Sequence, residues 1–197
     1  MRHSGLLHMA LVIAVLAISN DRSVAQTERD TEEALLKVNG EAFTRTDLAN
    51  RELWNYRQGG SKTLPETLVD QVNLMVLVQQ GRKRGFAMTD ALFRDLIAAQ
   101  MKANHLDSEA QWRAAFAQER LGPLAEFRRE KERELIVTRV VGDLLANVTV
   151  TDDEALAEKQ KQTLETYLAR LRADATIEWP IPAMKRAYDE GLAKRHQ

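Results

Sequence analysis

Apolar residues along this chain fall into segments whose spacing changes several times, and each change marks an element. Leu35-Leu36-Lys37-Val38 and Glu41-Ala42-Phe43 are short runs on either side of Asn39-Gly40. Asn-Gly suits a type I′ turn, which needs positive φ at both central residues, so a β-hairpin is predicted here. Thr44, with Asp47 in the following first turn, caps a helix over about 45–56 that stops before Gly59-Gly60. Thr63 and Glu66 have capping-box spacing. The helix they open carries Leu68, Val69, Val72, Leu74, Met75, Val76, Leu77 and Val78 around almost its whole circumference. A helix apolar on all sides is buried on all sides. It is therefore expected at the centre of a bundle, ending near Gly81 with Arg82-Lys83-Arg84 at its C-terminal end.

The second half continues in the same style. Thr89 caps a third helix, where Met88 and Phe93 have hydrophobic-staple spacing and Leu92, Leu96, Ala99 and Ala103 form a stripe. Ser108 and Gln111 make a further capping box before a short helix with Trp112, Ala115 and Phe116 on one side. Gly122-Pro123 is a stop and a start. A long helix follows to about 146, its expected stripe being Leu124, Phe127, Leu135, Val137, Val141, Leu144 and Leu145. Thr151 and Glu154 open a sixth helix to about 172, with Leu164, Tyr167, Leu168 and Leu171 on its apolar face. Residues 175–179 alternate and read as a strand, expected to pair with the N-terminal hairpin because an isolated hairpin is marginal in water. The predicted fold is mainly α: a multi-helix domain over 35–179 with a small β-sheet built from the hairpin and the C-terminal strand. Residues 151–179 fold back onto it, and 180–197 is a weakly amphipathic tail, with a loose helix as its expected form.

The first 25 residues stand apart. Arg2 is followed by an apolar run over 6–18, broken only by His8, and Ser23-Val24-Ala25 places small residues where a signal peptidase reads them. That run is short against the roughly 20 residues a spanning helix needs. A signal peptide cleaved after Ala25 is predicted, with an uncleaved anchor as the competing reading. Residues 26–34 then form a flexible lead. Cleavage removes Arg2, Arg22 and Asp21 and leaves the chain at a net charge of −2. This balance argues against nucleic acid as a partner. The chain has no cysteine, which excludes disulfides, thiolate metal sites and a cysteine nucleophile.

The order of these segments resembles the N-terminal domain of SurA-type periplasmic chaperones. The resemblance is carried by Val38-Asn39-Gly40-Glu41-Ala42-Phe43-Thr44, Leu68-Val69-Asp70-Gln71 and Gln79-Gln80-Gly81-Arg82-Lys83-Arg84-Gly85. It continues through Thr89-Asp90, the 108–116 helix and Phe127-Arg128 to Ile136, and 164–179 is similar to the family's closing helix and strand. In that family a parvulin prolyl isomerase unit stands before the closing helix. Here Thr151 runs straight into that helix, so the resemblance implies the chaperone module without isomerase activity, and no enzyme. The predicted signal peptide points to a periplasmic or otherwise extracytoplasmic location.

No catalytic or metal constellation accompanies the pattern. His105 has no partner at i+4 and His196 lies in the tail, so neither has metal-ligand spacing. Asp152-Asp153-Glu154 fits a helix start, where carboxylates complement the dipole. No cofactor is implied. Holding an unfolded chain without ATP calls for an apolar groove of adaptable residues. The candidates for peptide binding are Trp54, Tyr56, Met88, Met101, Trp112 and Phe116, while Phe93, Phe116 and Phe127 lie on stripes that normally face a core. The expected partners are unfolded or extended polypeptides, including outer-membrane clients, with no membrane span after cleavage. The alternative is a dedicated module for one folded envelope partner. Because 151–179 must reach back to the hairpin, exchange of that segment between two copies is a route to a homodimer.

Overall fold

A computed structural model describes residues 33–57, 60–118, 123–149 and 153–195, with the side chains of 53–57 and 153–154 left out of the description. The expected leader, most of the lead and the Thr151 cap lie outside the described residues. Strands β1 (Ala34–Val38) and β2 (Glu41–Thr44) form the predicted hairpin, pairing Val38 with Glu41 and Leu36 with Phe43. Asn39 and Gly40 have φ of 51° and 83°, the signs a type I′ turn requires. Strand β3 (Ile177–Glu178) pairs antiparallel with the other side of β1, giving the order β2-β1-β3. It is shorter than the alternating segment. Thr176 accepts from the Asn39 backbone N–H at 2.8 Å and donates its own N–H to Asn39 Oδ1 at 2.9 Å. Asn39 Nδ2 donates to Gln79 Oε1 at 2.7 Å. One turn residue thus ties the hairpin to two other elements.

The described residues hold seven helices: α1 (Arg45–Arg57), α2 (Leu64–Lys83), α3 (Asp90–Ala103), α4 (Glu109–Gln118), α5 (Leu124–Leu145), α6 (Asp153–Ala173) and α7 (Pro182–Arg195). The caps behave as their residue types dictate. Thr44 N–H donates to Asp47 Oδ2 while Asp47 N–H donates to Thr44 Oγ1. Thr63 and Glu66 close a reciprocal capping box at the start of α2. The hydrogen bond from the Thr63 backbone N–H holds the Glu66 carboxyl below its ordinary range. Ser108 receives Gln111 N–H, but the Gln111 side chain reaches back to Asp107 N–H rather than to Ser108.

The central position of α2 is as expected. It packs against α5, α6, α7 and β1. Its residues Leu68, Val69, Val72, Val76 and Val78 are sealed with Leu35, Leu36, Val38 and Phe43 of the sheet and Ile136 and Val140 of α5. Its end falls near Gly81 as expected, at Lys83 with Arg82 and Lys83 in the last turn, and Gly85 at φ 81° is the left-handed residue that closes it. Phe86 N–H bonds Gly81 C=O at 3.0 Å and Gly85 N–H bonds Arg82 C=O at 2.9 Å, the bond pair of a Schellman motif. Gly81 itself marks a close approach. A Cβ there would lie 2.1 Å from Ile136 Cγ2.

That contact also corrects the phase of α5. The sealed residues are Ile136 and Val140, whereas Leu135, Val137, Val141, Leu144 and Leu145 are only half-buried. Residues 180–197, read as a tail, contain α7, which is seated on α2 with Tyr188 and Gly191 buried. A Cβ on Gly191 would lie 2.5 Å from the Pro65 carbonyl oxygen, so this crossing also requires glycine. Arg195 pairs with Asp70, which takes Lys62 Nζ at 2.5 Å as well. The apolar face of α7 includes Ala187 and Gly191, small residues that pack closely while adding little to a hydropathy pattern.

Candidate functional site

A second hydrophobic cluster lies apart from the core around α2. Phe93 and Ile97 of α3, Trp112 of α4 and Phe127 of α5 are its buried members. Met88, Leu96, Met101, Leu106, Phe116 and Leu124 are half-buried around them. The rings are arranged in tilted and edge contacts. Phe127 lies 6.3 Å from Phe93, 6.1 Å from Trp112 and 5.0 Å from Phe116, and Trp112 stacks on Phe116 at 5.2 Å. The Trp112 indole N–H is satisfied by Gln100 Oε1 at 3.0 Å.

Local sequence explains how α3 delivers its side chains. Thr89 caps the helix by accepting from Leu92 N–H, and Asp90 follows in the first turn. The helix ends on His105, whose φ of 54° makes it the left-handed residue of a second Schellman motif. Leu106 N–H bonds Met101 C=O at 2.9 Å, and both side chains join the cluster, as that motif favours. His105 is therefore a helix terminator. Among the described residues no three His, Asp or Glu side chains converge on a point.

Arg128 fastens α5 to the start of α3. Its Nη2 reaches Met88 C=O at 3.1 Å and Asp90 Oδ1 at 2.5 Å, and its guanidinium lies 5.1 Å from the Phe93 ring centroid. Lys131 Nζ lies 5.7 Å from the Phe127 ring. The apolar cluster is thus rimmed by charge. Leu92 stands outside that rim, 36% exposed and the one large hydrophobic residue so exposed among the described residues.

Four of the six candidate residues, Met88, Met101, Trp112 and Phe116, come together here. Trp112, only 5% exposed, forms the floor; the two methionines and Phe116 reach the surface in part. The side chains of Trp54 and Tyr56 lie outside the described residues. Leu96, Leu106 and Leu124 were missed as members of this surface. Leu96 lies on the stripe expected for this helix and carried a usable signal; Leu106 follows the helix and carried none. No family model matches the chain, and no curated protein is similar enough to count as a relative.

Proposed function

We propose that this chain is an extracytoplasmic, ATP-independent holdase of the SurA N-terminal type, exported by a leader cleaved after Ala25. Unfolded or extended polypeptides, outer-membrane clients among them, are its ligands. The observation that carries the reading is the α3–α4–α5 cluster: Met88, Met101 and Phe116, half-buried over a floor of buried rings, separate from the main core and bounded by charge. Methionine repacks around varied partners, and a flat ring accepts many side-chain shapes. Partial exposure limits the area a client can bury, which keeps binding weak and release spontaneous. The proposal includes no prolyl isomerase activity. Residues 146–152 alone join α5 to α6, at the place where the family it resembles carries its catalytic unit. Exchange of α6 and β3 between two copies is its route to a dimer, and a monomeric mass in solution counts against that route.

The test is suppression of aggregation by residues 26–197 with a chemically unfolded client. Excess protein should keep the client soluble. Leu96→Gln with Met101→Gln should weaken this by about tenfold or more, since each substitution withdraws part of one large apolar contact. The paired variant must retain the wild-type circular dichroism. Unchanged aggregation in the presence of wild-type protein would sink the proposal. Capture of a single folded envelope protein, with no affinity for unfolded peptide, would replace it with the dedicated-module reading.

A further inference from the structure

A groove of about 420 Å³ runs between α5 and α6. Leu144 of α5 and the ring of Tyr167 make its apolar wall, while Lys159, Thr163, Thr166 and Arg170 recur along it at helical spacing. Lys159 and Arg170 stand at its two ends. Among the described residues neither cation has a carboxylate partner: Arg170 rests over the Tyr167 ring at 5.2 Å, and the Lys159 ammonium is exposed. The nearby acids are turned to other partners or off the stripe. Glu158 accepts from Gln162 Nε2 at 2.9 Å, Asp143 lies 3.7 Å from Arg84, and Glu165 sits on the flank of α6. Between the cations the groove offers acceptors. Thr163 spends its hydroxyl proton on the Lys159 carbonyl at 2.7 Å, and Gln162 spends an amide proton on Glu158. Their oxygens remain to receive N–H groups.

We propose that this groove is a second polypeptide site, selective for an extended acidic segment. At 1.5 Å per residue, the Cα atoms of Lys159 and Arg170 are about 16 Å apart. An extended chain rises about 3.3 Å per residue and turns every second side chain to the same face, so two carboxylates four residues apart, about 13 Å along the chain, meet the two cations through the reach of the long side chains. The intervening peptide N–H groups face the Gln162 and Thr163 oxygens, and a small apolar side chain rests on Leu144 and Tyr167. The site is separate from the aromatic lobe and does not depend on holdase activity.

The experiment is fluorescence anisotropy with the purified chain and labelled peptides of Ala and Ser carrying two Glu residues. Three probes are used: Glu residues four apart, the same peptide with Gln, and Glu residues two apart. The four-apart peptide should bind best, and Lys159→Gln and Arg170→Gln should each weaken it about three- to fivefold, as exposed ion pairs do. Added salt should weaken it further. Lys161→Gln, on α6 but outside the groove, should leave it unchanged. Equal affinity for the Gln peptide overturns the proposal. So does an equal effect of Lys161→Gln, which would mean diffuse attraction to a basic surface, and so does equal binding of the two-apart peptide.

Discussion

Gly81 and Gly142 look alike in the sequence, each a lone glycine in a helical segment, and the structure gives them opposite meanings. A Cβ on Gly81 would meet Ile136 Cγ2 at 2.1 Å and Val140 Cγ2 at 3.1 Å, while one on Gly142 meets nothing within 4 Å. Gly81→Ala forces α2 and α5 apart and should cost about 1–3 kcal/mol, the range for overpacking a close contact. Gly142→Ala gains helix propensity without a clash and should stabilise by up to about 1 kcal/mol. Urea unfolding of the two variants checks the signs. A stabilised Gly81→Ala protein would mean that the helices do not approach as described. The Asn39-Gly40 turn was legible because its chemistry is local: two positive φ angles need two tolerant residues. The role of Gly81 was not, because its reason is a side chain far along the chain.

At the scale of elements, the same division explains which helices were read well. The caps at Thr44, Thr63, Thr89 and Ser108 lie within a few residues of the groups they satisfy, and all four start the expected helices. The phase of α5 was misread because two apolar rows, 136/140 and 137/141, are both present, and only contact with Gly81 selects between them. The packing of α7 was missed for a related reason: Gly191 and Ala187 carry little hydropathy, yet they let the helix sit close to α2. Tyr188 anchors that contact, its ring 5.0 Å from Trp179. Burial raises its phenol above the ordinary 10.0, against a smaller opposing effect of Arg172. A raised folded-state value means that its contribution is fully present below pH 10.0 and is lost as pH rises through the folded value. Unfolding free energies measured from pH 9 to 11 should therefore fall more steeply for the wild type than for Tyr188→Phe. Parallel curves would show that the phenol ionises alike in the folded and unfolded chains.

The whole molecule is organised by α5, which contributes to both hydrophobic clusters. Its Ile136 and Val140 belong to the core with α2 and the sheet, and its Phe127 belongs to the lobe with α3 and α4. Between them lies the charged stretch 128–134, including Glu130 with Arg51 at 3.1 Å and Glu132 with Arg82 at 3.9 Å. Such partly exposed ion pairs contribute little to stability, so they couple the clusters weakly. The lobe should then open on its own, below the free energy of global unfolding, which suits a surface proposed to admit unfolded chains. Phe127→Ala removes the ring that touches Phe93, Trp112 and Phe116, a loss of about 3–5 kcal/mol for a packed aromatic. Native-state hydrogen exchange should register this as a fall of about two decades or more in protection across α3 and α4. The amides of α2 and β1 should keep theirs. Val140→Ala, in the core around α2, should instead lower protection in α2 and β1 and leave that of the lobe, set by its own opening, unchanged. If Phe127→Ala lowers protection equally in all elements, the two clusters form one cooperative unit, and independent opening of the lobe is ruled out.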